Sequence, residues 1–308
     1  MSEKQHFYGG QAVLEGVMMR GAEVWAIAVR RPDGGIHRES HEIDSVAKRY
    51  PILRKPGLRG VIALGQALSI GVRALTISAN HSVDEEEKLT PRQMAFSMII
   101  AFVFFIGLFI VGPAVLFGFA RDQIPSGILL NVGEGIFRVA LFLGYLLLIG
   151  RMKDIRRVFE YHGAEHKTIA AYEHDEPLEP EAVDQYSTLH VRCGTNFLLI
   201  VMVLTIFVFT LFGTPGIWWR IGSRILAIPL IAGVAFEALR IGARYPRSRV
   251  VRALMAPGLW LQKITTKPPS EDQIEIAIAS FEEVLRRERD VGEAPAAEGP
   301  VPIPEPED

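Results

Sequence analysis

His162, Glu165 and His166 stand in the order H-x-x-E-H. On a helix, two imidazoles four residues apart lie about one turn from each other and can share one metal ion. A glutamate beside the second histidine is placed to take a proton from a water that the metal activates. His190 and Cys193 follow at H-x-x-C spacing, and a reduced cysteine adds a thiolate donor. This donor set suggests a divalent metal, with zinc first. Histidine is scarce, eight residues in 308. An H-x-x-E-H arises by chance in roughly one chain in a hundred of this length, against about one in five for a bare H-x-x-x-H, so the glutamate carries much of the signal. Gly163 argues the other way. Glycine costs about 1 kcal/mol in a helix interior, and a break there would turn the two histidines onto different faces.

Both pairs lie between apolar segments, and these bound the fold class. Hydrophobic residues make up 49% of the chain and mean hydropathy is positive. Met94 to Phe119 is almost continuously apolar and long enough to span a bilayer with some tilt. The stretch ending at Ile149 reaches spanning length if it starts near Leu129 or Asn131, and Phe197–Phe212 and Ile225–Leu239 are near the lower limit. The expectation is an α-helical polytopic membrane protein of about four transmembrane helices, with a small β-rich N-terminal cytoplasmic region. Arg151, Lys153, Arg156, Arg157, Lys167 and Arg192 lie between the second and third spans, and Arg240, Arg244, Arg247, Arg249 and Arg252 follow the fourth. The other connections hold only Arg121 and Arg220. With four spans every basic segment falls on one side, which places both termini and the histidine segment in the cytoplasm. There the single cysteine, Cys193, stays reduced.

Residues 1–57 read as β-rich. Val24–Arg31 and Ile36–Ile43 flank the turn signal Pro32-Asp33-Gly34-Gly35. The glycine-bracketed stretch Gly9–Gly21 holds two charges, Glu15 and Arg20, which either line a site or pair at a surface. In residues 58–90, Gln66, Ser69, Arg73, Thr76 and Asn80 recur at three- and four-residue steps, a polar stripe on an otherwise apolar helix. Arg73 favours an interfacial or packed helix over a fifth span, and a fifth span would carry the N-terminal region away from the histidines. Residues 91–150 form the first transmembrane hairpin, 151–196 the His/Cys segment, and 197–243 the second hairpin. Asn196 stands at the start of the third span, near His190 and Cys193. Glu237, near the cytoplasmic end of the fourth, is a candidate carboxylate ligand, with a local pair to Arg240 or Arg244 as the alternative. Residues 244–290 are a basic segment, with Trp260 as an interfacial anchor, then an amphipathic helix opened by a capping box at Ser270–Gln273. Residues 291–308 are acidic and proline-rich, the composition of a disordered tail.

Four stretches resemble the YqhQ-like family of bacterial membrane proteins, described as predicted metal-dependent enzymes of unknown function: GGQAVLEGVMMRG (Gly9–Gly21), YHGAEHKTIAAYE (Tyr161–Glu173), YSTLHVRCGTNFLLIVM (Tyr186–Met202) and LWLQKITTKPPSEDQIEIAIA (Leu259–Ala279). Val191 departs from the family's H-P-R-C-G-T segment but leaves His190 and Cys193 in place. The resemblance implies a protein of the bacterial cytoplasmic membrane that uses a metal.

Together these features suggest a zinc hydrolase acting on a membrane-presented substrate. His162 and His166 would be ligands, His190, Cys193 or Glu237 would complete the shell, and Glu165 would be the general base, the inverted-zincin arrangement. Three protein ligands leave a position open for chemistry, whereas four close the shell around a structural ion. The rivals are a non-catalytic membrane scaffold with a structural metal and, last, a metal or small-solute transporter. The partners expected are the lipid bilayer and an unidentified substrate. Homo-oligomerisation stays open, and a net charge of −2 with no nucleic-acid motif points to no nucleic acid.

Overall fold

The computed structural model describes residues 8–44, 50–55, 57–84, 88–124, 126–190, 192–213, 216–245 and 248–293. The acidic tail lies outside them, apart from the helical backbone of 291–293.

The N-terminal region is one antiparallel sheet in the order β1-β2-β3-β4: Gly9–Val13, Gly16–Arg20, Val24–Arg30 and Ile36–Glu42. Val13 pairs with Gly16, Arg20 with Trp25 and Arg30 with Ile36, so each connection is short. Gly34 supplies the positive φ of the third turn (84°). Both faces of the sheet are covered. Met18, Trp25, Ile27 and Val29 pack with Ile70 and Ala74 of α1 (Leu58–His81). Val17, Met19, Ala26 and Ala28 pack with Tyr161 of α5 (Lys153–Glu173) and with Ile274, Ala277 and Phe281 of α10 (Glu271–Glu293). Two-sided burial is why Val24–Val29 is a nearly unbroken apolar run rather than an alternation.

The apolar segments form the helices α2 (Pro91–Ile106), a π-turn at Gly107–Val111, α3 (Gly112–Phe119), α4 (Gly127–Ile149), α7 (Gly194–Leu211) and α8 (Ile217–Arg244). Between α5 and α7 lies the short α6 (Pro180–Asp184), and after α8 comes α9 (Arg249–Thr265). Among the described residues, five helices are long and apolar enough to cross a membrane, which fits an integral membrane protein. The expected count of four is short by one, because Leu58–His81, with its polar stripe, also meets the criterion. Most of that helix is apolar whatever its stripe contacts. The stripe meets the sheet: Arg20 donates to Gln66 Oε1 (2.7 Å), and Arg73 lies 5.6 Å from the Trp25 ring centre. At its other end α1 crosses α8 closely, where a Cβ on Gly60 would come within 2.7 Å of the Gly233 carbonyl oxygen.

A buried ionic group lies inside the bundle. Glu134 of α4 accepts hydrogen bonds from Arg138 (2.8 Å) and from Arg224 of α8 (2.6 Å). Arg138 also donates to the Phe109 carbonyl (2.8 Å). In a regular helix that carbonyl would bond the N–H of residue 113, but Pro113 has none, so the guanidinium fills the gap at the π-turn.

Candidate functional site

Helix α5 runs without a break through Gly163. The glycine is required for a tertiary reason: a Cβ there would collide with the Lys267 carbonyl oxygen, in the chain that follows α9. Lys267 N–H also bonds to the Phe159 carbonyl (2.9 Å), which straps this chain across the helix. His162 and His166 therefore share a face, with ring centres 4.5 Å apart.

Cys193 caps the N-terminus of α7. Its sulfur accepts from the Thr195 N–H (3.4 Å), so the partial positive end of that helix lies beside it. The sulfur is 3.3 Å from His162 Nε2. His162, His166 and Cys193 each offer one ligand atom, and all three atoms lie within 4.8 Å of one another, a spacing that suits a single ion. The other nitrogen of each imidazole is engaged. His162 Nδ1 donates to the Thr265 carbonyl (2.9 Å) and His166 Nδ1 to the Thr188 carbonyl. A carbonyl only accepts, so both Nδ1 atoms carry a proton, and in the neutral imidazole that makes Nε2 the lone pair.

Glu165 is almost fully buried, with its side chain against β1 at Gly10. A Cβ on Gly10 would come within 2.8 Å of its side chain, so the glycine makes room for the carboxylate. Burial raises the Glu165 pKa above the ordinary carboxylate range, against the pull of His162, His190 and a hydrogen bond from the Gly10 backbone. Burial likewise lowers that of His166, which favours the neutral imidazole.

The remaining candidates divide. The His190 ring centre is 5.6 Å from that of His166, but its Nε2 turns to Glu173, 3.7 Å away. Glu173 also pairs with Arg192. Burial pushes the Glu173 pKa up, but hydrogen bonds from His190 and Arg192 outweigh it and hold the carboxyl below its usual range. Asn196 is buried beside the group, its Oδ1 accepting from Gln262 Nε2 (3.2 Å). Glu15 pairs with Arg157 (2.6 Å) and accepts from the Tyr161 hydroxyl (3.3 Å), which ties the first hairpin to α5. Arg20 is held by Gln66, and burial lowers its pKa.

Glu237 is a correction. The structure gives its carboxylate to Arg59 of α1 (2.6 Å), and the ligand-spaced group at the histidines forms from His162, His166 and Cys193 without it. The partner comes from a segment 178 positions away, which spacing along α8 does not reveal.

Gln262 is the residue that sequence reasoning missed. Fully buried on α9, it accepts from the His190 N–H and donates to the His190 carbonyl, both at 2.8 Å, and it also holds Asn196. Its one sequence signal is spacing: Gln262 and Thr265 are polar residues on one face of Leu259–Thr266.

The family described as "Protein of unknown function (DUF1385)" matches residues 55–287, three of the four resembling stretches among them. Among curated proteins, the chain is 35% identical over 300 residues to the "Uncharacterized protein YqhQ" of Bacillus subtilis (strain 168), covering 91% of this chain and 93% of that one. No solved structure matches. A family match over most of the chain and a relative aligned nearly end to end agree: the chain belongs to the DUF1385 family, that of YqhQ, whose function is unknown.

Proposed function

We propose that this protein is a metal-dependent hydrolase, zinc first, whose site opens at the cytoplasmic face of a bacterial membrane. One observation carries the reading. Peptide carbonyls hold Nδ1 of both His162 and His166, which leaves both Nε2 atoms for the group they form with Cys193 Sγ. Three protein donors leave a fourth position for substrate or water, the arrangement of catalytic zinc. When bound, the ion would polarise a scissile carbonyl and acidify water. Glu165 accepts the proton, and its raised pKa brings it nearer the operating pH, where a general base is most effective. His190 is kept on Glu173, outside the shell.

Chain order supports placing sheet and site on the same side. The sheet precedes α1 yet packs on α5, so the three apolar stretches between them make an even number of crossings. Of the three, we read helix α1, with Ile70 and Ala74 in the sheet's core, as the one that lies along the sheet rather than across the bilayer. The basic residues between α4 and α7 favour the cytoplasm for this side.

A second reading, a scaffold stapled by a structural ion, is favoured by the burial of Glu165 (5% exposed) and His166 (2%). Two measurements separate the readings. Elemental mass spectrometry of the detergent-purified protein should find near-stoichiometric metal, lost in a His162→Ala/His166→Ala variant. Glu165→Gln should keep the metal and lower activity by about 10²–10⁴-fold, read as failure to complement a deletion strain. Full complementation by Glu165→Gln would leave the scaffold reading in place, and no metal after a zinc challenge would sink both.

A further inference from the structure

A second group of donors lies on the sheet. His37, Glu39 and His41 alternate along β4, so all three point to the face covered by α1. His81, the last residue of α1, comes down on them, and its ring stacks on His37 with centres 3.7 Å apart and planes within 9°. His37 Nε2 is 3.3 Å from Glu39 Oε2, while Glu39 Oε1 is 2.7 Å from His41 Nε2. We propose that His37, Glu39 and His81 form a second divalent-cation site, with His41 orienting the carboxylate.

Four observations support it. Among the described residues, this is the other set of three whose ligand atoms all lie within 4.8 Å of one another. Two imidazoles and a carboxylate are a donor set that zinc and its neighbours accept, with coordination positions left over. The group sits at the C-terminus of a 24-residue helix, where unpaired carbonyls favour a cation. A second imidazole, His41, lies with Nε2 2.7 Å from the other oxygen of the ligating carboxylate, the position that an outer partner takes in built metal sites. Parallel rings keep their lone pairs in separate parallel planes, so an ion about 2.0–2.1 Å from a nitrogen of each requires the stack to tilt open. Both rings can move: β4 is an edge strand, and His81 ends its helix. Arg31 and Lys88 act on His81 and Arg73 on His41, so affinity is lower here than at the buried thiolate group.

Cobalt titration of the full-length protein in detergent tests this. The parent should bind two Co²⁺ per chain. The tighter one should show the sulfur-to-cobalt absorption of a Cys193 ligand, and the weaker one should not. His37→Ala/His81→Ala should lose the weaker ion and keep that absorption, which also reports that the variant is folded. His162→Ala/His166→Ala should do the opposite. Glu39→Gln should weaken the second ion at least tenfold without removing the first. Unchanged stoichiometry and affinity in His37→Ala/His81→Ala would overturn the proposal. So would a single ion in the parent that only the His162→Ala/His166→Ala change removes. If the thiolate group binds nothing, circular dichroism reports folding, and loss of the remaining ion in His37→Ala/His81→Ala still supports the sheet site.

Discussion

His162 and His166 project from the middle of a 21-residue helix, and their outer nitrogens are fixed by the carbonyls of Thr265 and Thr188. His37 and Glu39 project from an edge strand and meet His81 at a helix end, where ring stacks on ring. The first group is largely buried and has its tautomers set by backbone. The second is partly open and is oriented by one carboxylate between imidazoles. Donor atoms at ligand spacing occur in both, but only on α5 does the surrounding structure leave each imidazole one role. The difference is one of preorganisation, and it predicts a tight site and a weak one.

Removing the sulfur should have the largest effect. Cys193→Ala is expected to weaken metal binding by more than about 100-fold, beyond the 10–100-fold typical of outer partners. Competition against a chromophoric chelator measures it, and a loss under tenfold would mean that the sulfur is not a donor. Next comes the strap over α5. Helix propensity alone says that Gly163→Ala should stabilise by about 1 kcal/mol. The contact with the Lys267 carbonyl says it should destabilise by about 1–3 kcal/mol and loosen the metal too. The sign of the change in thermal midpoint decides between them. The smallest effect concerns Glu173. Its depressed pKa means that its contribution to stability is present above the ordinary carboxylate range and is lost as pH falls through the depressed value. Glu173→Gln should therefore flatten the acid arm of the stability profile by less than about 1 kcal/mol, since the pair is partly solvated. An unchanged acid arm would show that Glu173 does not anchor His190 and Arg192 in solution.

What could be read in advance was local. The turn at Pro32–Gly35, the strands around it, the apolar helices and the capping box before α10 each follow from residues close in sequence. The approach of His162 to His166 was legible because helical period fixes it. Cys193 was legible only as a candidate, because nothing in H-x-x-C says that α7 will begin there and aim the sulfur at His162. Glu237 misled because its partner, Arg59, is remote. Gly163 read as a flaw, since the carbonyl that requires it belongs to residue 267. The stripe on α1 was correctly seen as polar, but its target, Arg20 and Trp25 on the sheet, depends on the whole fold.

The triad of Glu134, Arg138 and Arg224 also constrains how the chain enters a bilayer. A lone arginine at the centre of a translocating helix costs about 2.5–3.5 kcal/mol. Helix α4 carries Glu134 and Arg138 one turn apart, so it brings its own counter-charge. Helix α8 emerges from the ribosome later, and its Arg224 meets a carboxylate that α4 has already placed. A Glu134→Gln change would leave both guanidiniums in the bundle without their carboxylate, so it should lower the yield of inserted protein and the stability of what inserts.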